Sequence, residues 1–302
     1  MKWDGQRESD NVEDLRSSGG GGGGGGGGLR LGGGRIGIGT IVLALVLGWA
    51  FDINPLTLLG GMAGDPGMVG SAPAPAPTQA TGPQSRPTDD GARFVSTVLA
   101  DTEEVWRTQL PRAGGPAYRH PKLVLFRGAV NTACGTGQSA AGPFYCPGDQ
   151  KVYIDLDFFN VLRSRMGAPG DFAQAYVVAH EVGHHLQNLI GTHDKVEAMR
   201  GRLSTAQMNA MSVRVELQAD CYAGVWTHHS QQGKGWLEQG DVEEALNAAS
   251  RIGDDMLQQQ SQGRVVPESF THGTSVQRQT WFRRGMDSGD LKQCNTFEAQ
   301  RL

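Results

Sequence analysis

The strongest chemical pattern in this 302-residue chain is His180-Glu181-Val182-Gly183-His184. It has the form H-E-x-x-H. On a helix, residues i and i+4 share a face, so His180 and His184 can both reach one zinc ion. Glu181, next to the first imidazole, is placed to take a proton from an activated water and pass it to a leaving amine. A catalytic zinc takes three protein ligands and leaves a fourth position open. Thirty-two residues after His184 stands Glu216-Leu217-Gln218-Ala219-Asp220. Glu216 is the candidate third ligand. Asp220, one turn on, is the candidate acceptor for the non-ligating N–H of a zinc histidine. These two carboxylates could instead form a surface pair. However, Ala219, Cys221, Ala223, Gly224, Val225 and Trp226 around them read as a buried helix, where two acids need a partner.

The other histidines read differently. His185 points about 100° away from His184 on a helix and is expected in the core or behind the ligands. His228 and His229 fall near the end of the second helix, where cations suit the dipole. His120 and His193 show no pattern and are expected at the surface.

These residues need elements to hold them. Asp171 opens a helical run to Ile190, with Gly191 as its stop. Phe172, Tyr176, Ala179, Gly183, Leu186 and Ile190 make its core-facing stripe. Ser204-Thr205-Ala206-Gln207 is a capping box opening the helix that carries Glu216. A further helix starts near Asp241. Alternation over Lys151–Phe159 predicts a strand, and Lys122–Val130 predicts a second. The site domain is expected to cover residues 93–302.

Upstream, the composition changes. Fifteen of the 45 glycines lie between Gly19 and Gly39, without a G-X-Y period, so collagen is excluded. Residues 1–35 are expected to be a disordered charged and Gly-rich tail. Ile36–Phe51 has no charge and is the core of a candidate transmembrane helix over residues 36–59. A cleaved signal peptide is the rival reading. Residues 60–92, rich in Pro, Ala and Gly, read as a linker. Arg30 and Arg35 precede the apolar run, and no Lys or Arg follows until Arg86. The positive-inside rule then predicts a single-pass cell-membrane protein with a cytoplasmic N-terminus and an extracytoplasmic domain. Net charge is −4 with no basic patch, which argues against a nucleic-acid partner. Four cysteines allow three pairings. Cys134–Cys146 across a short loop and Cys221–Cys294 are expected, against four free thiols in a reducing compartment.

The segments AYVVAHEVGHHLQNLIG, VELQADCYAGVW, RIGDD and FTHGTSVQR, with NTACGTGQSAAGPFYCPGD and VYIDLDFF before them, resemble the putative neutral zinc metallopeptidase family of bacterial membrane-anchored proteins. The resemblance runs in order over about residues 93–302. It implies an α+β, zincin-like fold after a single N-terminal transmembrane helix. It also implies one Zn2+ ion and a peptide or protein substrate. The E-x-x-x-D placement is similar to the gluzincin arrangement, in which an additional His or Tyr steadies the oxyanion. His272, in a loop after Pro267, is the candidate here; a role in fixing that loop is the alternative. Asp254 and Asp255 are expected to end a helix, or else to hold Arg278 or a zinc histidine. Two other readings stand beside the peptidase: a non-catalytic zinc-containing peptide-binding domain, and a cell-wall peptide amidase.

Overall fold

The computed structural model describes residues 1–17, 89–139 and 142–302. The fold is mixed α+β. Helix α1 (Asp90–Arg112) starts at an Asp89 cap whose side chain accepts the Ala92 N–H. A four-stranded sheet follows, in the order β1 (Val12–Asp14), β2 (Lys122–Leu125), β6 (Lys151–Ile154) and β5 (Phe144–Cys146). β1, β2 and β6 run parallel, with Val12 opposite Leu123 and Leu123 opposite Val152. β5 is antiparallel to β6 and forms the far edge. A hairpin, β3 (Ala129–Thr132) and β4 (Gly135–Gln138), stands apart. Central strands covered on both faces must be apolar throughout. Leu123, Leu125, Val152 and Ile154 accordingly face the helices, while Val124 and Tyr153 face a smaller cluster with Phe126 and Phe144.

The helical layer contains α2 (Asp157–Ser164), α3 (Asp171–Leu189), the short α4 (Thr192–Glu197), α5 (Thr205–Lys234), α6 (Asp241–Arg251), α7 (Asp254–Gln262) and α8 (Ser275–Ser288). α3 ends where expected, with Gly191 in the left-handed region. The Ser204–Gln207 capping box forms in both directions. α3 is buried on nearly every side because it packs between α1, α5, α6 and the sheet. The Oε2 of Glu244 on α6 accepts the Phe172 N–H, one of the donors freed at the start of α3.

Four expectations need correction. The strand read over residues 151–159 stops at Ile154, because Asp155 turns the chain and its Oδ1 accepts the Asp157 N–H, leading into α2. The strand read over residues 122–130 breaks at Gly128, which has φ 71°, and resumes as β3. Residues 1–17, expected to be disordered, are folded, so the domain is wider than residues 93–302. Asn11 O accepts the Leu123 N–H at 2.8 Å, and Leu125 O accepts the Leu15 N–H at 2.8 Å. Buried Glu103 accepts from Ser9 Oγ, Asn11 Nδ2 and Arg7 Nη2. The charges that suggested disorder are paired: Glu13 with Lys151, Arg16 with Asp14 and Asp89, Arg93 with Glu8. The acids Asp171 and Asp241 face the Met1 amino group, at 2.8 and 3.3 Å.

The fourth correction concerns topology. The apolar run 36–59 and residues 60–88 of the expected linker lie outside the described residues. Among the described residues, no helix is long and apolar enough to cross a membrane. A single crossing between residues 17 and 89 would put β1 and β2 in different compartments. The parallel pairing needs both on one side, so a cytoplasmic N-terminus with the domain beyond the membrane does not fit this sheet.

All four cysteines are bonded, Cys134 to Cys146 and Cys221 to Cys294. The second bond fastens the chain after α8 to the middle of α5.

Candidate metal centre

α3 and α5 pack backbone to backbone at Gly183. A Cβ there would lie 3.0 Å from Ala219 O and 3.1 Å from Ala219 Cα. Gly183 sits between the two motif histidines and Ala219 between Glu216 and Asp220, so the crossing point of the helices sets the geometry of the site. His180 Nε2 lies 3.2 Å from one Glu216 oxygen, and His184 Nε2 lies 3.6 Å from the other. The candidate ligand atoms of His180, His184 and Glu216 all fall within 4.8 Å of one another. Tetrahedral ligands about 2.0–2.2 Å from a zinc ion stand roughly 3.3–3.6 Å apart. The three residues therefore fit such an ion.

The remaining ring nitrogens are held from behind. His180 Nδ1 lies 2.8 Å from Asp220 Oδ1, the expected partner. Asp220 is fully buried and also accepts from Tyr176 OH at 2.5 Å. Arg278 grips it with two bonds, from Nε at 2.8 Å and from Nη2 at 2.9 Å. His184 Nδ1 faces Gln187 Oε1 at 2.9 Å. The Gln187 amide nitrogen donates to Val215 O and Gln218 Oε1, which fixes its oxygen toward the histidine. With both Nδ1 atoms acting as donors, both Nε2 atoms are turned toward Glu216 and are the ones left to hold an ion once deprotonated.

Burial and charge set the protonation states. Burial opposes a charge on His180, but Asp220 and Glu216 outweigh it and raise the ring to about 10. Metal uptake must displace that proton. Burial pushes His184 down. Burial would raise Glu216, yet the two histidines hold it well below the usual carboxylate range. Asp220 is likewise held down, to about 2, by Arg278 and His180 against its burial. Glu181 goes the other way, and burial pushes it up to about 7. That is the range in which a carboxyl can both take and give a proton at neutral pH.

His272 lines the same cavity as Glu181 and Glu216. Its loop is pinned by Asp254, whose Oδ2 accepts the backbone N–H groups of Thr271, His272 and Gly273 at 2.7, 2.6 and 3.0 Å. Asp254 Oδ1 lies 3.2 Å from His272 Nδ1. Burial works against a charge on His272, but Asp254 and Glu216 raise it. Asp254 thus serves the His272 loop, and Arg278 is held by Asp220.

For several supporting residues, Tyr176, Gln187 and Arg278, the sequence does not show which group each one touches. His193, expected at the surface, lines the cavity instead, because the turn at Gly191 folds α4 back and lets His193 Nε2 reach His184 O at 3.1 Å. His185 is in the core as expected, fully buried between Tyr145 OH and Arg119 O. His120 is exposed. His228 and His229 lie short of the end of α5 and face Met286 O and Gly289 O at the end of α8.

The model of the family described as "Putative neutral zinc metallopeptidase" matches residues 1–297. This chain belongs to that family. The match takes in the N-terminal strand as well as the site. The uncharacterized protein YpfJ of Escherichia coli K12 is 53% identical over 297 residues, covering 98% of this chain and 99% of its own. The uncharacterized protein Rv2575 of Mycobacterium tuberculosis H37Rv is 44% identical over 233 residues, covering 72% of this chain and 76% of its own. No solved structure matches the chain.

Proposed function

We propose that this family member is a zinc-dependent peptidase, with His180, His184 and Glu216 holding one ion. The observation that carries the reading is the convergence of two imidazoles and one carboxylate, with the buried Glu181 adjoining the first of them in sequence. When bound, zinc polarises a scissile carbonyl and lowers the pKa of a coordinated water to about 7. Glu181 takes a proton from the attacking water and later delivers it to the leaving amine. Its raised pKa suits the exchange, and the positive charge of an ion would draw it lower. His272, held in place by Asp254, donates to the developing oxyanion. Asp220, clamped by Arg278 and Tyr176, keeps the Nδ1 proton on His180, and Gln187 does the same for His184.

An oxidising compartment is supported by the two disulfides. The apolar run Ile36–Phe51 is the candidate for membrane attachment. The functional test compares the zinc-loaded chain with Glu181→Gln and Glu216→Ala on a peptide and protein library. Glu181→Gln should keep zinc and lose cleavage, and Glu216→Ala should lose most of its zinc. Full zinc retention by Glu216→Ala would remove the third ligand, and equal cleavage by Glu181→Gln would remove the base.

A further inference from the structure

The cavity beside Glu181 is lined by both charged and apolar groups. Apart from Glu181, its charged groups already have partners: Glu216 with the two histidines, Arg278 with Asp220, His272 with Asp254. Its apolar lining is Phe144, Phe158, Met166, Val177, Ile252 and Leu257. Val177 stands one helical turn before Glu181, so this apolar lining adjoins the candidate base. Four of these side chains, Phe158, Met166, Val177 and Leu257, are otherwise almost fully withdrawn from solvent. They come from α2, the loop after it, α3 and α7, and they meet only because those elements converge here. The whole cavity is about 510 Å³. That is within the usual size range of small-ligand sites, roughly 300–1,000 Å³.

We propose that this apolar lining receives a bulky hydrophobic side chain of the substrate, adjacent to the scissile bond, and makes Met166 and Leu257 specificity-determining residues. The inference rests on the peptidase reading above. An acidic side chain placed here would be buried beside Glu181, and a basic one would find that carboxyl as its counter-charge, which the Glu181→Gln substitution removes; either is then strongly unfavourable. An aromatic or long aliphatic side chain would pack against Phe158, Met166, Val177 and Leu257, where a ring and apolar surface are available to it. The substrates are therefore peptides or unfolded segments that expose Phe, Leu or Met.

The test measures binding, so that it does not depend on turnover. The full chain carrying Glu181→Gln is loaded with zinc and titrated with fluorescent peptides of one scaffold that differ at a single position: Phe, Leu, Ala, Asp or Lys. Phe and Leu peptides should bind at least about 10-fold tighter than Ala, the discrimination that a hydrophobic pocket gives per missing methylene or more. Asp and Lys should bind more weakly than Ala. In Met166→Lys the order should reverse in favour of Asp, while Met166→Leu should keep it. Leu257→Lys makes the same change from a different helix, should Met166→Lys fail to fold. Equal affinities, a preference for Asp or Lys, binding of none of the peptides, or an unchanged order in a folded lysine variant would overturn the proposal. Hydrolysis by the unsubstituted chain is followed in parallel. Ranked binding without cleavage leaves the pocket standing and removes the peptidase reading. Cleavage without ranking does the reverse.

Discussion

Asp220→Asn gives the sharpest test of how the site is held. Asp220 is fully buried and receives two bonds from Arg278, which is itself 2% exposed. Neutralising the aspartate leaves the guanidinium buried without a counter-charge. Breaking one partner of such a pair costs about 3–5 kcal/mol. The pKa shift supports a similar scale. A carboxyl moved from 3.8 to about 2 corresponds to roughly 2–3 kcal/mol. Because the folded pKa is lowered, that stability is fully present above about pH 4 and is lost as pH falls through about 2. The assay is denaturant unfolding of the metal-free protein at pH 7 and again across pH 2–5, together with zinc affinity by chelator competition. Asp220→Asn should lose about 3 kcal/mol at pH 7, flatten the acid limb, and weaken zinc by about 10- to 100-fold through the freed His180 ring. Adding Arg278→Met should recover stability, because the buried cation is then gone, but it should not recover zinc affinity. A loss below 1 kcal/mol, or no recovery in the double variant, would refute the account of Asp220 as the counter-charge of Arg278.

Three further outcomes follow from other parts of the fold. Gly285→Ala should destabilise by about 3 kcal/mol or more, since its Cβ would collide with the Cys221 backbone carbonyl where α8 crosses α5; thermal unfolding measures this. Loss of Cys221–Cys294, which closes a 73-residue separation, should cost about 4 kcal/mol, against about 3 kcal/mol for Cys134–Cys146 with a separation of 12. Unfolding of paired Ser variants checks the order. Epitope tags at the two ends of the chain should be alike in their access to antibody added outside intact cells, because β1 and β2 share a sheet; access to one end alone would contradict the pairing.

The chemistry of the site was legible where it is local. H-E-x-x-H and E-x-x-x-D each place their groups on one helix face, and the buried surroundings of Glu216 are what point its carboxylate to His180 and His184. The supporting contacts were not legible because they cross the fold. Arg278 reaches Asp220 over 58 residues, and no pattern marks which of two nearby acid groups an arginine will choose. The contact of Gln187 is not legible either, since an amide acts here only through the orientation that Val215 O imposes. The strand after Lys151 was over-extended because Leu156-Asp157-Phe158 continues the alternation by chance, while Asp155 has already turned the backbone. The N-terminal residues were misread because composition counts charges and cannot see their partners. Arg7 and Asn11 are soluble-looking residues whose acceptor, Glu103, is nearly a hundred positions away.

That first strand also constrains the order of assembly. Val12 is paired with Leu123, 111 positions later. Closing a segment of that length costs about 4 kcal/mol in chain entropy before any contact is gained. The helices that carry His180, His184 and Glu216 are joined by only the stretch from residue 190 to residue 204. During synthesis the N-terminus emerges first, yet it waits for β2 before it has an edge to join. The earliest residues made are thus among the last to be fixed. Weakening their contacts, for example with Glu103→Gln, should speed unfolding while leaving the refolding rate nearly unchanged.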